Sequence, residues 1–166
     1  METDIGSILK SREVRYKTQR LLLKKYQCTL ISFTLNVPGQ KKQSDRLIKI
    51  HNKGMELLCN LLPSADILFM DSGHPVTGSE GLVCIKHDAV SVKGLACELE
   101  QDISIGRIFD IDVFDDKGRV ISRSEAGYPE RECFVCDEYA KICIRNQQHT
   151  AAELLYAFEK LIEEEI

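Results

Sequence analysis

The sequence predicts an α/β (α+β) fold in a single domain over residues 1–166, a mixed sheet with helices packed on it. Three observations carry this expectation. Short runs rich in β-branched and aromatic residues alternate with stretches of helical period. At 166 residues and 43% hydrophobic content, the chain can bury one core but is cramped for two. The run from Gly106 to Phe114, the polar turn Asp115-Asp116-Lys117-Gly118 and the run Arg119 to Arg123 together read as a hairpin.

Residues 5–25 form the first expected helix, with Ile5, Ile8, Leu9, Leu21, Leu22 and Leu23 around a long polar middle. Arg12, Arg15 and Gln19 follow one another at spacings of three and four, which stacks them on one face. Such a face either holds phosphate or an acidic protein, or is simply solvated. Residues 30–37 read as a strand stopped by Pro38-Gly39. The basic loop Gln40-Lys41-Lys42-Gln43 leads into a helix capped by Ser44 and reaching about Leu62, so Lys42 stands where a strand-turn-helix unit can hold an anion. His51 is expected on the surface of that helix. A short strand at 67–70 precedes the loop 72–81, rich in breakers and a candidate lid, in which His74 reads either as a general base or as an ordinary turn residue. Residues 82–86 form another strand, and Asp88 caps a helix from about Ala89 to Gln101 with Lys93, Cys97 and Glu100 on one side.

In the hairpin, period-two alternation puts Phe109, Ile111 and Val113 on the core face and Asp110 with Asp112 on the other. Two carboxylates about 7 Å apart along a strand repel one another in apolar surroundings unless a cation sits between them. Hard oxygen ligands of this kind suit Mg²⁺ with substrate phosphates completing its shell. The competing reading is a solvated strand face, although aspartate is depleted in strands. Glycine at the end of the turn favours a bulged register that leaves Arg123 flanking the acids; a plain four-residue loop would put it opposite Asp110.

Downstream, Cys133, Cys136, Cys143 and His149 form the string Cys-x₂-Cys-x₆-Cys-x₅-His. Three thiolates and an imidazole satisfy tetrahedral zinc, and the first pair has knuckle spacing. Small buried core cysteines are the alternative, with Arg145 and His149 free to meet phosphate. The last helix, about 150–164, carries Leu154, Leu155, Phe158, Leu161 and Ile162 for packing.

The opening residues lack a cationic segment followed by an apolar core, no apolar run has membrane-span length, and seven cysteines argue for a reducing cytoplasm. Residues 1–53 hold twelve Lys/Arg against four Asp/Glu, while the remainder holds ten against twenty-two. That asymmetry points to a basic surface for an acidic partner or polyphosphate. Nucleic acid is disfavoured, because no interleaved aromatics and no zinc-finger or RNA-recognition signature accompany the basic part.

In order along the chain, Ser11-Arg12 with Arg15 and Gln19, Ser32-Phe33-Thr34, Pro38-Gly39 with Lys42, and Asn52 with Gly54 carry a family likeness. Glu98 with Glu100, Gly106-Arg107-Ile108-Phe109-Asp110-Ile111-Asp112-Val113, and the Cys133, Cys136, Cys143, Arg145, His149 group complete it. The chain resembles the phosphoribosyl-dephospho-CoA transferases, the citrate lyase holo-[acyl-carrier protein] synthases. The resemblance implies a nucleotidyltransferase-like fold and chemistry. It implies movement of a 5′-phosphoribosyl-dephospho-CoA group from 2′-(5″-triphosphoribosyl)-3′-dephospho-CoA to a serine of the apo acyl carrier protein (gamma chain), with release of pyrophosphate. On this reading Asp110 and Asp112 hold Mg²⁺, Arg107 clamps the pyrophosphate, and Lys42, Arg12 and Arg15 hold further phosphates. A relative using another phosphoribosyl substrate, or a non-catalytic zinc-bearing adaptor for an acidic carrier, are the competing expectations.

Overall fold

The computed structural model describes residues 4–163. Helix α1 (Ile5–Tyr26) starts where the Asp4 side chain accepts the Ser7 N–H, and ends at Gln27 in the left-handed region. Strand β1 (Thr29–Leu35) follows, then helix α2 (Asp45–Leu61), whose Ser44 hydroxyl caps the Leu47 N–H as expected. Strands β2 (Ile67–Gly73) and β3 (Glu80–Ile85) form a hairpin. Helix α3 (Ala89–Asp102) is capped by Asp88 and leads through a 3₁₀ turn (Ser104–Ile108) into strand β4 (Phe109–Phe114). Two further helices, α4 (Ala140–Asn146) and α5 (Ala151–Glu163), close the described chain. Gly106 is needed in the 3₁₀ turn, because a Cβ there would lie 2.3 Å from the Leu99 carbonyl oxygen.

The sheet has the order β2-β3-β1-β4, and every neighbouring pair is antiparallel. The α+β expectation therefore holds, while the mixed sheet is corrected to an antiparallel one. The reason is topological. Each helical crossover, β1-α2-β2 and β3-α3-β4, joins parallel strands but skips one position, and an antiparallel strand fills the gap. This is the split β-α-β pattern.

One sheet face packs Ile31, Phe33, Val83, Ile85, Phe109, Ile111 and Val113 against α2 and α3, with Phe158 and Ile162 of α5 closing the core. On the opposite face Leu22, on the C-terminal half of α1, packs on Leu30, Leu82 and Cys84.

Two further expectations fail for physical reasons. The return strand at 119–123 does not form. The turn is made with Gly118 at φ +84°, and pairing begins in the bulged register, Phe114 opposite Val120 with the Ile121 N–H on the Val113 carbonyl at 2.8 Å. At Ile111 the ladder is then taken over by α3: the Glu100 carboxylate accepts the Ile111 N–H at 3.2 Å and the Lys93 ammonium donates to the Ile111 carbonyl at 2.7 Å. Two helix side chains thus satisfy the strand edge that a second strand would have paired.

His51 is the second failure. It lies fully buried, with its ring edge-on to Phe33 at 5.1 Å and to His74 at 5.4 Å. Desolvation, then the charge of His74, push its pKa down to about 4 from 6.5. Weaker contacts with the Phe33 backbone and the Asn52 side chain oppose the shift. The unfolded chain therefore takes up a proton at pH values where the folded chain refuses it. The stability that His51 contributes is present above pH 6.5 and is lost as the pH falls through 4, by about 3 kcal/mol over the full range. Urea denaturation at pH 7.5 and 4.5 checks this: His51→Phe should lose less stability between the two than the wild type.

Candidate active site

Three rows of side chains cross the face of the sheet beneath α1. Glu80, Thr34 and Asp110 form the first row, Leu82, Ser32 and Asp112 the second, Cys84, Leu30 and Phe114 the third. Polarity falls along the series, and α1 matches it. Its C-terminal end brings Leu22 over the apolar row, Gln19 is buried one turn earlier, and Arg15 reaches the first row to pair with Glu80 at 3.0 Å. Ser11 accepts a hydrogen bond from Thr77 at 2.9 Å, which ties the start of the helix to the loop between β2 and β3. The 3.6-residue helical period and the two-residue strand period together put cations over carboxylates at one end of the sheet.

Asp110 and Asp112 both project from this open face, and the intervening Phe109, Ile111 and Val113 are buried. Thr34 donates to the Asp110 carboxylate at 3.4 Å. The Asp112 residue is open to water, yet its carboxyl is crowded by protein. Desolvation, then the negative charge of Asp110, raise its pKa; the cations Lys93, Arg131 and Arg15 offset part of the rise. Two carboxylates side by side on one face are a hard-oxygen donor set, and as such they fit a divalent cation such as Mg²⁺.

Arg12 is exposed on α1 and lies close enough to Lys42 for its charge to matter. Desolvation, then Arg12, lower the Lys42 pKa, and the Lys42 ammonium donates to the Val37 carbonyl. These two cations gather at the end of the sheet where β1 leaves it.

On the other side of β4, Arg107, Arg123 and Arg131 line a cleft of ≈ 340 Å³ with Glu100 and Gly106. Arg107 donates to the Cys133 carbonyl at 2.6 Å. Arg123 pairs with one Glu100 oxygen and donates to the Pro129 carbonyl at 2.8 Å, and Arg131 meets the other Glu100 oxygen at 2.7 Å. Glu100 is thereby committed to two arginines and the Ile111 N–H. Glu80, Lys93 and Arg131 were not singled out as site residues from the sequence. The Lys93–Glu100 spacing of two helical turns was the one available signal.

Cys133, Cys136, Cys143 and His149 do come together: one ligand atom from each lies within 4.8 Å of the others. Cys136 Sγ is 3.5 Å from Cys143 Sγ and 3.3 Å from His149 Nε2. Burial works to raise the Cys133 pKa, but the Val135 and Cys136 N–H groups and the neighbouring thiols hold it below its usual value; Cys143 is pushed up to about 12, chiefly by desolvation. Arg145 stands exposed on the last turn of α4.

Comparison with known proteins gives the same answer along the whole chain. The family model described as apo-citrate lyase phosphoribosyl-dephospho-CoA transferase matches residues 3–165. Proteins of that name from Escherichia coli O139:H28 (strain E24377A / ETEC) and Shigella boydii serotype 18 are each 32% identical over 160 residues, covering 95% of this chain and 87% of theirs. One from Escherichia coli O157:H7 matches to the same extent. With a match that runs from the start of α1 to the end of α5 and takes in both aspartates, the chain belongs to the apo-citrate lyase phosphoribosyl-dephospho-CoA transferase family.

Proposed function

We propose that this chain transfers the 5′-phosphoribosyl-dephospho-CoA group from 2′-(5″-triphosphoribosyl)-3′-dephospho-CoA to a serine hydroxyl of the apo acyl carrier protein of citrate lyase. The serine oxygen forms the new bond to phosphorus, pyrophosphate leaves with the anhydride oxygen, and the hydroxyl proton passes to solvent. The observation that carries the reading is the pair Asp110 and Asp112, side by side on an open sheet face with cations converging on them.

Asp110 and Asp112 hold Mg²⁺, which when bound neutralises charge on the donor phosphate oxygens. Thr34 and Ser32 stand opposite Asp110 and Asp112 on β1, and the Thr34 hydroxyl steadies Asp110. Arg15 and Gln19 face the same rows from α1, and with Arg12 and Lys42 they bind the outer phosphates at the sheet's end. Arg107 spends one N–H on Cys133 and keeps other donors for the leaving pyrophosphate, where fixed positive charge lowers the barrier. Arg123 holds the strand edge through Glu100, and exposed Arg145 offers an outer contact to phosphate. The excess of Lys/Arg in residues 1–53 suits docking of an acidic carrier protein. No helix among the described residues is long and apolar enough to cross a membrane, and all seven cysteines are free thiols, which suits a cytoplasmic reaction.

The direct test mixes protein, apo carrier, triphosphoribosyl precursor and Mg²⁺, and follows intact carrier mass. A gain equal to one phosphoribosyl-dephospho-CoA group, with one pyrophosphate per carrier, is expected. An unmodified carrier, or equal use of an unrelated phosphoribosyl donor, overturns the substrate assignment.

A further inference from the structure

We propose that Cys133, Cys136, Cys143 and His149 bind one zinc ion, and that this closed Cys₃His centre anchors the loop that holds the edge of the catalytic strand. The four ligand atoms converge within 4.8 Å, although they come from a knuckle, a helix and the connection between two helices. A tetrahedral ion with Zn–S near 2.3 Å and Zn–N near 2.0 Å requires S···S separations of about 3.8 Å and S···N of about 3.5 Å. The 3.5 Å between Cys136 and Cys143, and 3.3 Å between Cys136 and His149, lie close to both. A disulfide spans about 2.05 Å, so Cys136 and Cys143 are not bonded to each other.

The local backbone is shaped for this arrangement. The Val135 N–H points at Cys133 Sγ at 3.5 Å, and the Cys133 N–H closes the knuckle on the Glu138 carbonyl at 2.8 Å. Helix α4 ends with Gln147 at φ +48°, while the Gln147 and Gln148 N–H groups return to the Ile144 and Cys143 carbonyls. That reversal swings His149 back over Cys136. The buried-core alternative describes Cys28 and Cys84, which pack with Leu22, Leu30 and Leu82. It does not describe three thiols facing an imidazole on a segment whose regular structure is one seven-residue helix. Four protein ligands leave no open position, which marks the centre as structural.

The centre reaches the proposed active site through two contacts. The Cys133 carbonyl accepts from Arg107, three residues before Asp110. Arg131, two residues before Cys133, pairs with Glu100, which in turn accepts the Ile111 N–H between the two aspartates. An ordered 131–149 segment thus fixes the guanidinium and the strand edge together.

Metal content tests this without carrier or donor, so its outcome is separate from that of the transfer assay. Protein purified without chelators should carry one zinc per chain by elemental analysis. Replacement by Co²⁺ should give the strong visible bands of a tetrahedral thiolate-rich site. Cys136→Ser and His149→Ala should lose stoichiometric metal, His149→Cys should keep it with a shifted Co²⁺ spectrum, and Cys59→Ser, outside the quartet, should match wild type. Because a ligand variant can misfold, the wild-type chain is also titrated with chelator: zinc release should lower the melting temperature and speed amide exchange at Ile111. Less than a tenth of an equivalent of zinc after zinc-supplemented expression overturns the proposal. So does zinc retained in Cys136→Ser/Cys143→Ser, or chelation that leaves the Ile111 amide unchanged.

Discussion

Asp112→Asn is expected to abolish transfer, lowering kcat/KM on the order of 10³-fold or more, and to leave the metal-free protein at least as stable as wild type. The two halves of the result follow from one environment. Crowding and the charge of Asp110 raise the Asp112 pKa, so its folded value lies above its unfolded one. Below the unfolded pKa the group costs nothing; as the pH climbs through the folded pKa the ionised carboxylate opposes folding. At neutral pH the amide removes that opposition. It also removes an anionic oxygen that the metal and the donor phosphates need.

Mg²⁺ separates these effects. A ligand that binds only the folded chain raises stability with its concentration. Millimolar Mg²⁺ should therefore raise the melting temperature of the wild type and leave Asp112→Asn and Asp110→Asn unmoved. Near-normal transfer by either variant with Mg²⁺ present, or an equal Mg²⁺ response in all three, refutes the metal assignment. A variant that loses transfer and also unfolds points instead to a structural role for the acids.

Much of this candidate site is legible in the sequence because it rests on short-range periodicity. Alternation along 109–114 placed Asp110 and Asp112 on one face with no knowledge of the partner strand, and spacing alone aligned Arg15 with Gln19. The Ser44 and Asp88 caps are likewise local chemistry. What could not be read depends on which elements meet. The return strand at 119–123 has good strand residues, but Lys93 and Glu100 of α3 reach Ile111 first, a competition between segments ten or more residues apart. His51 has polar neighbours in sequence and lies on a helix whose buried side is fixed by Phe33 from β1. The Cys-x₂-Cys knuckle announced itself, whereas the approach of His149 hangs on a left-handed glutamine that no propensity favours.

Removing the Glu100 carboxylate should be the most destabilising of these changes, with Glu100→Ala costing about 3–5 kcal/mol. The Glu100 side chain is 3% exposed and serves three donors: Arg123, Arg131 and the Ile111 N–H. Truncation strands Arg123, at 14% exposure, beside an unpaired strand amide, while Arg131, at 27%, retains some water. Glu100→Gln is the informative companion. Its side-chain oxygen can still accept from Ile111, but it offers no charge to either arginine, so its cost should fall between wild type and alanine. Urea unfolding measures the series. Pairing Glu100→Leu with Arg123→Met then asks what the charges are for: an apolar pair of similar bulk should recover the part of the loss that comes from stranding Arg123, while Arg131 and the Ile111 N–H stay without their acceptor. It should not recover transfer, because the amide of Ile111 loses its acceptor and the strand between the two aspartates is no longer held. Glu100→Ala within 1 kcal/mol of wild type would mean that the edge of β4 is held by something other than this carboxylate.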